Sequence, residues 1–259
     1  MSFLSSSRSV LILADEGLQI YDVARSRARM VDFVPWDTVE FESSVKDILV
    51  RKCKRKPVVI LNDMVEQHYR KERIPKVGIM DNASVLKRRL GVAFPNYKIR
   101  AALKLDEKNA TSEGKGRSYL FAAIPSSEAF LKVMRAVSLS SATVVGLYLL
   151  PVEASSLVRE LTSKLSKGRK SKASWTIFMG QHHNGSVRQI VTRNNDLALT
   201  RMSPVVDTDV EPELWAKEMS TELGATMSYL SRFGYKESDG LNIITVSYTH
   251  LTLPTILLV

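Results

Sequence analysis

The feature that most constrains this chain is an order of elements that occurs twice. Near residues 9–61 three short strands are followed by a helix and a fourth strand, and the same order returns near residues 174–245. Such a repeat outweighs any single motif, because each copy must bury one face of a sheet under a helix, and two copies make two such units. The copies share little residue identity. Their likeness lies in the order of elements, which predicts an α/β chain.

The first copy opens with an apolar run over residues 9–14. Asp15-Glu16-Gly17 is a turn signal, with Gly17 expected to supply a positive φ. Leu18, Ile20 and Val23 lie on a second strand, and Met30, Val31, Phe33 and Val34 begin a third. Tight turns between successive strands predict an antiparallel meander. Phe41, Val45, Ile48 and Leu49 recur at helical spacing, so residues 39–52 form a helix with Asp37 or Thr38 as its cap. The unbroken run 57–62, PVVILN, is a buried strand.

The second copy follows the same plan. Residues 175–179, 187–192 and 197–202 are strands, with a turn over 180–185 and a hairpin turn at Asn194-Asn195-Asp196, since Asn and Asp tolerate left-handed geometry. A helix over 212–233 carries Trp215, Met219, Leu223, Leu230 and Phe233 on one side. Residues 241–245 begin a fourth strand.

Between the copies the pattern is less regular. A helix is expected over 83–90, residues 64–76 are loop or helix, and residues 109–116, NATSEGKG, form a polar loop. Residues 63–117 are therefore an insertion or subdomain. Residues 119–124 are a strand, and Ser126 or Ser127 caps a helix carrying Phe130, Met134 and Val137. Residues 142–150 are a strand. Pro151 suits the first turn of a helix whose apolar face is Leu157, Val158, Leu161 and Leu165. That helix runs into the hydrophilic stretch 164–172. The domain reading is 1–166, a linker 167–173, and 174–245.

The 259 residues carry 37 Lys+Arg and 27 Asp+Glu, a net charge of +10. Up to Lys172 there are 31 basic and 18 acidic residues, and from Ala173 onward 6 and 9. The basic excess thus belongs to the first two-thirds, which suggests two units with different surroundings. Hydrophobic content of 44% supplies a core, so wholesale disorder is excluded. A single cysteine, Cys53, excludes an internal disulfide and a cysteine-based zinc site. No apolar run reaches the length of a membrane-spanning helix. The start of the chain lacks the basic-then-apolar order of a signal peptide.

Chemistry-bearing motifs are few. No Walker loop, GxSxG, HExxH or GxGxxG occurs. His182-His183 sits in a polar turn with no third ligand in view, and His68 and His250 are isolated. Cys53 stands among five cations that could lower its pKa, yet it has no His or Asp partner in sequence, so an incidental thiol is expected. Asp207, Asp209, Glu211 and Glu213 precede the long helix as ordinary dipole partners. The basic stretches 51–56, 70–76, 87–89 and 164–172 suit a solvated face first, an anionic membrane surface or acidic partner second, and nucleic acid last.

Residues 246–255, VSYTHLTLPT, resemble the translated sequencing-adapter sequence that ends open reading frames in metagenomic assemblies. The expectation is that 246–259 is a non-native tail and that the second domain is truncated.

The blocks YLFAAIPSSEAFLKVMRAVSLSSATVVGLYLLPVEA at 119–154 and WTIFMGQHHNGSVRQIVTRNNDLALTR at 175–201, set on the doubled plan, resemble the actin-like ATPase superfamily. The texture is similar to the PilM-like platform proteins of type IV pili and the GspL-like proteins of type II secretion. The resemblance implies two ribonuclease-H-like domains around a nucleotide cleft, with ATP and magnesium as the ligands of an intact cleft. It places the phosphate turns at Asp15, Gly17 and Gln19 and at Gly180, Asn184, Gly185 and Ser186. The first turn lacks the Gly-then-Ser/Thr series, and Glu16 adds negative charge beside the phosphates. The second has no acid at the Asp-x-Gly position, where Phe178-Met179-Gly180 stands. The nucleotide site therefore reads as degenerate, with no catalytic or metal-binding residue assigned.

The resemblance implies a cytoplasmic scaffold peripheral to a bacterial inner membrane. A membrane partner's short cytoplasmic tail would dock on its first domain, and it would pass contact to an assembly ATPase. The alternatives are an active ATP-binding protein or sugar-kinase-like ATPase, and a basic nucleic-acid-binding module.

Overall fold

The structure, a computed structural model, describes residues 7–24, 27–105, 116–165, 173–181, 186–203, 212–246 and 255–258. Contacts divide the chain into Met1–Leu149 and Leu150–Val259.

In the first unit, β1 (Arg8–Leu13), β2 (Gly17–Ala24) and β3 (Arg27–Pro35) form the expected antiparallel meander. Helix α1 (Phe41–Arg51) follows, and β4 (Val58–Asn62) returns parallel to β1. The five-stranded sheet is completed by β8 (Val144–Leu149), parallel to β4, in the order β3-β2-β1-β4-β8.

One face of this sheet carries the core. Leu11, Leu13, Leu18, Ile20, Val58 and Ile60 alternate inward and meet Phe41, Val45 and Leu49 of α1. Val133, Ala136 and Val137 join them from α3 (Glu128–Ser140). The two helices are also clamped at their surface, where Arg135 donates to Glu42 from Nε and Nη2 at 3.1 and 2.9 Å. That guanidinium holds the Glu42 carboxyl below its ordinary value.

Ser127 caps α3, its Oγ accepting from the Phe130 amide at 3.2 Å, as the sequence predicts. Helix α1 differs from expectation. Its cap is Glu40 in the left-handed region, with no side-chain cap bond, rather than Asp37 or Thr38. Thr38 N donates to Pro35 O instead, so those residues make the turn out of β3.

The region predicted as loop or helix over 64–76 holds a strand, β5 (His68–Pro75). Its sequence, HYRKERIP, lacks apolar alternation and forms a strand because it pairs antiparallel with β7 (Gly116–Ile124). Helix α2 (Ile79–Ala93) and β6 (Ile99–Lys104) complete a three-stranded sheet of order β5-β7-β6. Ile74, Phe94, Tyr119, Phe121 and Ala123 form its small core, with Val85, Leu86, Leu90 and Ala93 of α2 packed against them. His68 stands against Tyr97, with Nε2 2.6 Å from the Tyr97 hydroxyl. The polar loop at 109–116 lies, but for Gly116, outside the described residues.

The second unit begins with α4 (Leu150–Leu165), whose contacts are with residues 187–193 and 196–203 of the strands that follow. The break in contacts therefore falls before this helix and not at 166, where the sequence placed the end of the first domain. Val158 is buried, but Leu157, read as part of the apolar face, is half-exposed. Strands β9 (Trp175–Gln181), β10 (Val187–Arg193) and β11 (Asp196–Ser203) repeat the meander. Asn194 and Asn195 carry φ of 51° and 70°, the two left-handed residues a tight hairpin requires.

Helix α5 (Pro212–Leu230) sets Met219 and Leu230 into a core with Trp175, Ile177, Val187 and Val191. Phe233, read as part of that face, lies beyond the helix in a 3₁₀ turn and is 41% exposed. Strand β12 (Leu241–Val246) runs parallel to β9, and β13 (Thr255–Leu258) pairs with it. The order β11-β10-β9-β12-β13 matches the first sheet, except that β13 is antiparallel where β8 is parallel.

Candidate functional site

In open α/β sheets, ligands bind beyond the carboxyl ends of the parallel strands. In the first unit this is where β1 and β4 end side by side. Asp63 N donates to Leu13 O at 2.9 Å and carries the parallel pairing one residue past the strand. The β1–β2 turn lies over this end. It is closed by Ala14 N donating to Gly17 O at 3.0 Å and held by Trp36, just past β3, whose Nε1 donates to Ala14 O at 3.0 Å.

Each residue the sequence proposed here has a defined place. Asp15 is exposed at the turn, and its Oδ1 accepts from the Val65 amide at 3.1 Å. The carboxylate thereby ties the turn to the loop after β4. Gly17 is not in the left-handed region, against expectation. Its glycine is required by close approach: a Cβ would lie 2.7 Å from Val34 O and 2.8 Å from the Phe33 ring. Gln19 lies inside β2, nearly buried, and its Oε1 accepts from the Tyr21 hydroxyl at 3.3 Å. It belongs to the sheet surface and not to the turn.

Two residues missed by the sequence reading complete this end of the sheet. Asn62 and Asp63 follow the apolar run of β4 and are 3% and 2% exposed. Asn62 Nδ2 has no hydrogen-bond partner among the described residues. A polar pair directly after a buried parallel strand was the available signal. Around it, Gln67 Nε2 donates to Met64 O at 2.6 Å and accepts at Oε1 from the Tyr69 hydroxyl at 2.5 Å, fixing the loop into β5.

In the second unit, Gly180 lies within β9 opposite Arg188, again without a positive φ. A Cβ there would meet only the Phe178 ring, at 2.9 Å. Ser186 is buried just ahead of β10. Asn184 and Gly185 lie outside the described residues, with His182 and His183.

The most developed polar cluster of this unit lies elsewhere, between the sheet and α5. Thr226 Oγ1 donates to Gln189 Oε1, Gln189 Nε2 donates to Ser203 Oγ at 3.1 Å, and Ser203 Oγ donates to Glu222 Oε2 at 2.8 Å. Arg201 closes the chain with an ion pair to Glu222 at 2.8 Å. A network so fully bonded fixes the seating of α5 on β10 and β11.

Cys53 is buried, and burial pushes its thiol above the ordinary value. The neighbouring cations do not activate it. They serve the fold instead: Lys56 pairs with Asp22 at 2.5 Å and Lys52 with Asp32 at 2.6 Å, tying the end of α1 to the meander. Among the described residues, no group of three or more His, Cys, Asp or Glu is placed to hold a metal ion. No helix among them is long and apolar enough to cross a membrane.

Compared with solved structures, the chain matches that of a PilM–PilN type IV pilus biogenesis complex at a TM-score of 0.53 and 14% identity. The chain shares the fold of that structure. The match covers 76% of this chain, which spans 61% of the length of the other. A protein of actin-like ATPase fold and unknown function from Bacteroides thetaiotaomicron is similar at a TM-score of 0.44 and 9% identity, over 91% of this chain and 81% of that one. The cytoplasmic domain of EpsL, an inner membrane component of the type II secretion system of Vibrio cholerae, is similar at 0.41 and 7%, over 76% and 70%. No protein-family model and no curated protein matches the sequence.

Proposed function

We propose that this chain is an actin-like platform protein of a type IV pilus or type II secretion machine. It works at the cytoplasmic face of the inner membrane by holding partner proteins, through two ribonuclease-H-like domains, the first with an insertion. The fold shared with the PilM–PilN structure supports this reading, and so does the four-strand order β3-β2-β1-β4, repeated as β11-β10-β9-β12.

The observation that carries the binding role, as against nucleotide chemistry, is the state of the β1–β2 turn. A phosphate-binding turn presents free backbone amides and a free acid to its ligand. Here Asp15 is engaged by the Val65 amide, and Gly17 is needed for contact with β3. Both residues have structural work that is independent of a nucleotide. The nucleotide site is accordingly degenerate, and the chain's contribution is to hold a membrane partner's short cytoplasmic tail.

The test is a pulldown using the cytoplasmic tail of the inner-membrane partner encoded beside the gene, run with and without magnesium and ATP. Retention of the tail in both conditions is the expected result. Failure to retain it, or magnesium-dependent ATP binding that Asp15→Ala abolishes, would overturn the reading.

A further inference from the structure

The positive charge of this protein is concentrated in one small part of it. Residues 68–124 hold 13 Lys+Arg against 5 Asp+Glu, a balance of +8 within a chain whose total is +10. This is the segment that folds as β5, α2, β6 and β7.

The basic runs do not all have the same standing. In that of residues 51–56, Arg51, Lys52 and Lys56 pair with Asp47, Asp32 and Asp22. On α2, Lys87, Arg88 and Arg89 are exposed, and none pairs with an acid among the described residues. Helical spacing sets Met80, Ser84, Lys87, Arg88 and Val92 on the side of α2 opposite Leu86, Leu90 and Ala93, which pack on the sheet. Asp81, in the first turn, is the one acid of the helix. Met80 is 92% exposed and Val92 is 74% exposed. Apolar side chains so largely solvated, at both ends of a cationic helix face, are little used for packing inside this unit.

We propose that the outer face of α2 is a membrane-contact surface for anionic lipid headgroups, with Lys87 and Arg88 on the headgroups and Met80 and Val92 entering the acyl boundary. A convex helix face with apolar residues among cations suits an interface lying parallel to it. An acidic protein segment would need the charges alone, and would leave Met80 and Val92 unexplained. The inference rests on the reading that the protein works at the membrane, and it names the surface that would face the lipid.

The test is flotation of the full chain with vesicles of phosphatidylcholine, alone or mixed with phosphatidylglycerol. The wild type binds only the anionic vesicles, and binding falls with salt. Since each cation near such a surface contributes about a factor of five, Lys87→Gln/Arg88→Gln lowers partitioning by roughly twenty-five-fold. Met80→Ser/Val92→Ser lowers it by about tenfold through lost apolar burial. Removing the same charge elsewhere, by Lys54→Gln/Arg55→Gln, lowers it far less.

All these positions are on the surface, and thermal melts of each variant check that folding is intact. Equal loss from the control double variant would overturn the proposal, as would a wild type indifferent to phosphatidylglycerol. Displacement by soluble polyglutamate with no effect of Met80→Ser/Val92→Ser would assign the face to an acidic protein instead. The Lys87→Gln/Arg88→Gln variant should still retain the partner tail in the pulldown. Its loss of vesicles and its retention of tail separate this inference from the platform reading.

Discussion

Replacing Gly17 by alanine puts a methyl carbon 2.7 Å from Val34 O and 2.8 Å from two atoms of the Phe33 ring. The ring can swing, but the carbonyl belongs to the backbone of β3 and can move only by shifting the strand. Overpacking of that kind costs about 1–3 kcal/mol. Alanine recovers roughly 0.4–1 kcal/mol by restricting the unfolded chain, because Gly17 has no left-handed φ to penalise it. The expected net loss is about 1–2 kcal/mol, or a fall of roughly 3–6 °C in Tm for a unit of this size.

Gly180→Ala is the matched control, since its methyl would meet only a Phe178 ring atom at 2.9 Å. It should change stability by less than about 0.5 kcal/mol. The chain has two compact units, so one global unfolding curve does not report on one of them. Native-state hydrogen exchange at β1 and β2 amides, against β9 and β10 amides, resolves each unit separately. Gly17→Ala should accelerate exchange in the first set alone. A Gly17→Ala protein as stable as the wild type but impaired in ATP binding would refute the reasoning, because Gly17 would then serve a phosphate and not the packing of β3.

Thr226→Val removes the donor to Gln189 Oε1 inside a buried network and should destabilise the second unit by about 1–3 kcal/mol. Combined with Gln189→Leu it should cost less than the sum of the two single changes, measured by a double-mutant cycle in urea. Ser127→Ala removes the bond to the Phe130 amide and should cost about 1 kcal/mol, read from exchange in the first turn of α3. Cys53 should resist alkylation until the first unit opens. Its thiol is raised in the folded protein, so folding disfavours the thiolate. That contribution is intact below the ordinary thiol pKa of about 8.5 and is lost as pH rises above it, whereas Cys53→Ser should flatten the alkaline loss.

The local rules carried far in this sequence. Strand and helix order, the Asn194-Asn195 hairpin turn and the Ser127 cap each depend on residues within a few positions of one another, so their chemistry was legible without the fold. The resemblance to the actin-like plan rested on that order, and the fold shared with the PilM–PilN structure is consistent with the order of elements. Composition also located the charge, but not which cations the fold would engage. Arg51–Lys56 and Lys87–Arg89 look alike as text, and only the structure distinguishes Lys52 and Lys56, paired with acids of the meander, from the open face of α2.

What tertiary structure decided were the contacts between residues distant along the chain. Gly17 reads as a turn glycine, yet its reason for being glycine is Val34 and Phe33 crossing over it from β3. His68–Pro75 shows no strand periodicity and becomes a strand because β7 offers it a ladder of hydrogen-bonding partners. Asn62 and Asp63 gain their position from the parallel pairing of β4 with β1. Gln189, Ser203, Glu222 and Thr226 are scattered polar residues until α5 is laid on the sheet, where an unpaired polar group would be costly and the network becomes the solution. Periodicity and capping act between neighbours and leave their trace in the sequence. Close approach, pairing and buried polar bonding act across the fold and exist only once it has formed.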